Sequence, residues 1–138
     1  MADVISFPFV WVTNALGESV RRPLVPISLT YGNKTVSTTR LIDTGADVNV
    51  LPYDVGVELG MIWDDQKIEL ELSGNLSRFE ARGILVSGTI GKLKPVRSAF
   101  AWTQSEQARL ILGQTNFFDE FGVCVHRFGN TFEIQSRA

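Results

Sequence analysis

The chain has 138 residues, 44% of them hydrophobic and 20% charged, which is the size and balance of one globular domain able to bury a core. Thirteen basic and fifteen acidic residues leave a formal charge of -2 with no long run of either sign, so the basic stripe of a nucleic-acid binder is excluded. The single cysteine, Cys124, cannot form an internal disulfide, and with one histidine, His126, it makes no familiar zinc pattern. A reducing compartment, no metal and no cofactor are the expectations.

In chain order, the first segment, MADVISFPFVWV, is apolar but lacks a basic leader and a small-residue cleavage site, and its apolar run is too short to span a bilayer. It reads as a strand of a cytoplasmic protein with no membrane partner. Next, Val25, Ile27, Leu29 and Tyr31 alternate with Pro26, Ser28 and Thr30 until Gly32-Asn33 breaks the pattern ahead of a β-branched stretch. This predicts a hairpin whose second strand delivers Asp43 at its far end. PYDVGVELG has Pro52 as a first-turn residue and Gly60 as a stop, the marks of a short helix. Asp64-Asp65 reads as a solvated turn.

Further on, Ile68, Leu70 and Leu72 alternate with Lys67, Glu69 and Glu71 up to Ser73-Gly74-Asn75, and the chain returns through Phe79 and Ala81, predicting a second hairpin over 68–82. Val96, Ser98, Phe100 and Trp102 alternate with Arg97, Ala99 and Ala101 in another strand. QTNFFDEFG predicts a second short helix, with Asn116 as cap and Gly122 as stop. The last segment, GVCVHRFGNTFEI, places Gly129-Asn130 between β-rich runs, a two-residue hairpin composition. Trp11, Trp63 and Trp102 are expected in the core or at an interface, Cys124 as a small buried hydrophobe and His126 as a structural residue. Regular strands, turn signals and little helix make this a mainly β barrel or sandwich, in one single-lobed domain over 1–138.

The chemistry concentrates in LIDTGADVNVL, residues 41–51, where an apolar strand runs straight into a carboxylate. Buried among apolar neighbours, such an acid is costly unless paired, and sites of that kind are often functional. Glycine at 45 allows close backbone approach, and threonine at 44 offers a hydroxyl to lock the turn. Asp-Thr-Gly alone arises by chance in roughly three chains in a hundred of this length at average composition. The extension GADVNVLP, the helix-like VGVELG behind it and the distant LILGQTNFF at 110–118 add the weight that the tripeptide lacks. Together, in this order, they resemble the retropepsin-like aspartic proteases, particularly small cellular and bacterial members, from about Val25 to Ile134.

That resemblance implies a closed β barrel with one or two short helices, acting as a homodimer, with Ile111-Leu112-Gly113 running beside the Asp-Thr-Gly loop and bracing it. The chemistry of the residues agrees, because a shared-proton pair needs two carboxylates and the chain holds one Asp-Thr-Gly and no Asp-Ser-Gly. Asp43 would meet the Asp43 of a second copy across a two-fold axis. By resemblance, Asp43, Thr44 and Gly45 are the catalytic set: Thr44 hydrogen-bonds across the axis and the Gly45 backbone accepts a substrate amide. Asp47 anchors the substrate main chain, Ala46, Val50 and Ile111 line apolar pockets, and Ser73, Gly74 and Asn75 form the tip of a flap. Two departures stand out: that tip is poorer in glycine than viral flaps, and Gln114 follows Gly113 where viral enzymes carry an arginine. The expected function is hydrolysis of extended peptide or protein substrates. The competing expectation is an inactive dimer of the same fold that binds a peptide or protein partner, with Asp43 acting only as a turn acid. A carboxylate-pair glycosidase has no second acid tied to Asp43 by a motif.

Overall fold

The computed structural model describes residues 3–42, 46–72, 80–105, 108–113 and 115–137. Its elements in order are β1 (Val4–Pro8), β2 (Val10–Thr13), β3 (Ser19–Arg22), β4 (Leu24–Tyr31), β5 (Lys34–Leu41), β6 (Val50–Pro52), α1 (Tyr53–Glu58), β7 (Glu69–Leu70), β8 (Ala81–Thr89), β9 (Val96–Thr103), α2 (Phe117–Glu120), β10 (Phe121–His126) and β11 (Thr131–Ser136). The fold is mainly β, as the alternation requires. No helix among the described residues is long and apolar enough to cross a membrane.

The largest sheet has the order β5-β4-β8-β9-β6, with β7 paired to β8, and curls into a half-barrel. β4 and β5 pair antiparallel from Leu24↔Leu41 to Tyr31↔Lys34, closing on the two-residue turn that Gly32-Asn33 predicts. Gly32 has φ +61° and Asn33 is not in the left-handed region, the pattern of a turn with glycine first. Val25, Ile27 and Leu29 are buried as expected, whereas Tyr31 is exposed because the strand ends beyond the core. β6 runs parallel to β9, Val50 beside Ala101 and Leu51 beside Trp102. The two end strands, β5 and β6, are not paired with each other among the described residues. Instead, Ile42 makes a parallel bridge to Leu112 and Val50 an antiparallel bridge to Ile111, so one short segment touches both.

Trp102 is fully buried and anchors the core below α1. Its ring stacks on Tyr53 at 5.5 Å, meets Trp63 edge-on at 5.1 Å, and donates from Nε1 to the Tyr53 carbonyl at 3.2 Å. α1 can lie this close because its inner face carries Gly56, where a Cβ would collide with the Trp102 indole. Pro52 stands at the N-cap, one residue earlier than a first-turn position, and Gly60, with φ +83°, ends the helix as predicted.

A three-stranded sheet, β1-β11-β10, and a two-stranded ribbon, β2-β3, complete the architecture. The N-terminal apolar stretch is thus two strands in two sheets, split at Phe9. Phe132 and Ile134 of β11 are fully buried, and Phe7 and Phe9 stack on Phe132. Several sequence expectations need correction here. The C-terminal hairpin exists, but His126 pairs with Thr131 around a four-residue loop, Arg127 to Asn130, rather than a two-residue turn. The extra length is a single 3-10 turn that Asn130, in the left-handed region at φ 59°, reverses into β11. Gly122 does not stop α2: the helix ends at Glu120, Phe121 is already extended, and Gly122 pairs with Gln135. Cys124 is exposed, not a buried hydrophobe, because β10 turns alternate residues to solvent on its outer face. Of the core and interface alternatives for Trp11, the core one is excluded, since it is 66% exposed with Arg21 over its ring. Asp64 and Asp65 sit exposed in the 3-10 turn Trp63–Asp65, as expected.

Candidate functional site

Asp43, Thr44 and Gly45, together with Ser73, Gly74, Asn75 and Gln114, lie outside the described residues. What the structure defines is the frame around them. Ahead of the acid, Ile42 is buried and bridged to Leu112. Beyond Gly45, Ala46 and Val48 are half-buried and Asp47 is exposed, with the Asp47 carbonyl accepting the Thr115 amide at 2.7 Å. Val50 and Ile111 exchange both backbone hydrogen bonds at 3.0 Å. The segment Leu110 to Gly113 therefore reaches both chain stretches that flank Asp43.

Gly113 is required by packing. A Cβ there would lie 2.5 Å from the Val48 carbonyl oxygen and 2.9 Å from the Val48 nitrogen, and backbone on the acid-bearing stretch has no side-chain freedom with which to yield. The Gly113 carbonyl accepts the Phe117 amide at 2.9 Å and the Phe118 amide at 3.3 Å, serving the first turn of α2. Asn116 is consequently at the cap position without capping. Its Oδ1 accepts the Asn49 amide at 2.9 Å instead.

Asn49 is the residue that the sequence reading passed over. It is buried to 1% exposure, its Oδ1 accepts the Gly113 amide at 2.9 Å, and its Nδ2 donates to the Ala99 carbonyl at 3.2 Å. One signal could have found it: an asparagine between Val48 and Val50, at the start of an apolar strand, is a polar group that burial forces into partners.

On the outer face of β8 and β9, Val50, Leu72, Ala81 and Ala101 form a small apolar cluster against which Val48, Ala108 and Ile111 pack. Val50 and Ile111, two predicted pocket residues, are thus brought together, and Ala46 is not among the residues of this cluster. Leu72 and Ala81 bring both sides of the 68–82 hairpin to the same place. The base of that hairpin is real, with Glu69 opposite Arg82 and Leu70 opposite Ala81. It is held by Arg82, whose Nη1 donates to the Gln66 carbonyl at 2.7 Å and the Trp63 carbonyl at 3.2 Å while Nη2 contacts Glu80 Oε1 at 2.8 Å. The guanidinium also lies over the Trp63 ring at 4.8 Å. Among the described residues, no group of three or more His, Cys, Asp and Glu is placed to hold a metal ion. The Leu110 to Gly113 segment thus braces the chain on both sides of residues 43–45, next to a small buried apolar cluster.

No protein-family model and no curated protein matches the sequence. The fold is similar to the crystal structure of a retropepsin-like aspartic protease from Rickettsia conorii, with a TM-score of 0.60 and 18% identity over 99% of this chain and 93% of that one. At that identity the likeness establishes the fold.

Proposed function

We propose that the chain is an aspartic endopeptidase that works as a homodimer, a single retropepsin-like domain over 1–138 whose barrel is closed in the assembled enzyme. The observation that carries this reading is the brace itself: the Asp-Thr-Gly stretch is entered through Ile42, bridged to Leu112, and left through Asn49 and Val50, bound to Gly113 and Ile111. A merely solvated turn acid needs no such investment of buried backbone. The retropepsin-like fold of the neighbour supports the same chemistry.

In the mechanism, one Asp43 carboxylate is ionised and takes a proton from a water held between the pair, while the second, protonated, donates to the scissile carbonyl oxygen. The hydroxide equivalent adds to the carbonyl carbon, and collapse of the tetrahedral species expels the amine, which takes up a proton. The extended peptide places apolar side chains toward Ala46, Val50 and Ile111, with its main chain hydrogen-bonded to the Gly45 and Asp47 stretch and the 73–75 hairpin tip over it. Thr44 ties the two loops across the axis. A cytoplasmic setting is proposed from the single cysteine.

The test is cleavage of a mixed peptide library by the purified full chain across acidic to neutral pH, with mass-spectrometric readout. Asp43→Asn is expected to abolish cleavage while leaving circular dichroism and sedimentation unchanged, because an amide keeps the size but cannot serve as the base. Wild-type rates in that variant would refute the assignment. Peptide binding without cleavage by the native chain would favour the inactive binding module.

A further inference from the structure

We infer that Asn49 is a positioning residue for catalysis, holding the stretch that follows Asp-Thr-Gly at a set distance from the Leu110 to Gly113 segment. The inference rests on the proteolytic reading above. Asn49 uses every backbone and side-chain polar group in a long-range bond: Oδ1 to the Gly113 amide at 2.9 Å, Nδ2 to the Ala99 carbonyl at 3.2 Å, its own amide to Asn116 Oδ1 at 2.9 Å, and its carbonyl to the Ala101 amide at 2.9 Å. One buried residue thereby joins β6, β9, the Gly113 segment and the start of α2.

The side-chain chemistry is specific. The site needs a donor toward Ala99 and an acceptor toward Gly113 at one branch point, which a primary amide supplies and a carboxylate or an aliphatic group does not. A buried amide satisfied at both ends also has one orientation, so it sets geometry as well as stability. Displacing Gly113 would carry Ile111 and Leu112 with it, and these bridge to Val50 and Ile42 on the two sides of Asp43. Misplacement of reacting groups by about 1 Å costs on the order of a hundredfold in rate. The loss should appear in kcat, since Asn49 is buried and not exposed to substrate.

The experiment compares peptide-cleavage kinetics of the full chain with those of Asn49→Ala and Asn116→Ala, and follows hydrogen exchange at the Gly113 amide by NMR. For Asn49→Ala, kcat is expected to fall about a hundredfold with KM little changed, and the Gly113 amide to lose protection. Asn116→Ala removes only the acceptor for the Asn49 amide, so a smaller fall in kcat is expected; it also decides the question should Asn49→Ala not fold. Wild-type kcat in the folded variants overturns the positioning role while leaving the proteolytic reading intact. Undiminished protection of Gly113 in Asn49→Ala overturns the hydrogen bond on which the role depends. A wild-type chain inactive on every peptide removes the proteolytic reading, and this inference with it.

Discussion

Gly113 and Asn130 illustrate two different reasons for a backbone position to reject other residues. At Gly113 the reason is space: a methyl group would meet the Val48 backbone, and either Val48 or the Leu110 to Gly113 segment must shift. Gly113→Ala is therefore expected to destabilise the chain by about 1–3 kcal/mol, the usual cost of overpacking, measured as a lower urea midpoint. Because the displaced backbone borders the acid-bearing stretch, cleavage should fall further than stability alone explains. At Asn130 the reason is conformation, φ 59° and ψ 31°, a region that asparagine tolerates and β-branched side chains do not. Asn130→Val should cost about 1–2 kcal/mol by the same measurement, whereas Asn130→Gly should be close to neutral. An equal response at the two Asn130 variants would mean that the left-handed turn is not retained in solution.

At the level of elements, β11 is the piece with the most dependent on it. It lies between β1 and β10, with Val4 opposite Gln135 and Val123 opposite Ile134, and it places Phe132 and Ile134 in the core. Truncation after Gly122 removes both strands of the C-terminal hairpin beyond β10's first residues. Losing one buried Phe side chain alone costs about 3–5 kcal/mol, against a total stability of about 5–15 kcal/mol for a typical domain. The truncated chain is expected to be unfolded by circular dichroism and inactive. A folded, active product would show that the three-stranded sheet is dispensable. The His126–Glu133 contact at 3.6 Å in this sheet contributes little by comparison, since both side chains are about two-fifths exposed and solvent screens the pair.

For the whole molecule, the proposed dimer makes two demands on solution behaviour. A site assembled from two copies obeys mass action, so specific activity should fall on dilution in step with the dimer fraction seen by sedimentation. Activity that persists unchanged in a demonstrated monomer would exclude a shared dyad. The second demand concerns pH. Two close carboxylates cannot both ionise cheaply, so their proton affinities separate and belong to the pair. Cleavage needs the singly protonated pair: it falls on the acid side as the second carboxylate protonates, and on the alkaline side as the one shared proton is lost and both ionise. A bell-shaped kcat/KM profile with its optimum below neutrality is expected, and a steady rise into alkaline pH in a folded dimer would contradict it.

Local chemistry was enough to determine the β4–β5 hairpin, the strand β9, the glycine-led turn at Gly32, the stop at Gly60 and the motif set around Asp43 and Gly113, because alternation, positive φ and close approach are written in neighbouring residues, but not the split of the N-terminal stretch into β1 and β2. It was not enough to place Cys124 outward, since alternation separates two faces of a strand without saying which one meets the core. Nor could it lengthen the last hairpin loop, where the 3-10 turn competes with an equally suitable Gly129-Asn130 pair. The Asn49 network was hidden for a related reason. Its partners lie 50, 64 and 67 residues away along the chain, and the pairing of β1 with β11 joins its two ends. Only the tertiary structure brings such groups within hydrogen-bonding distance, and only burial there obliges a polar side chain to find them.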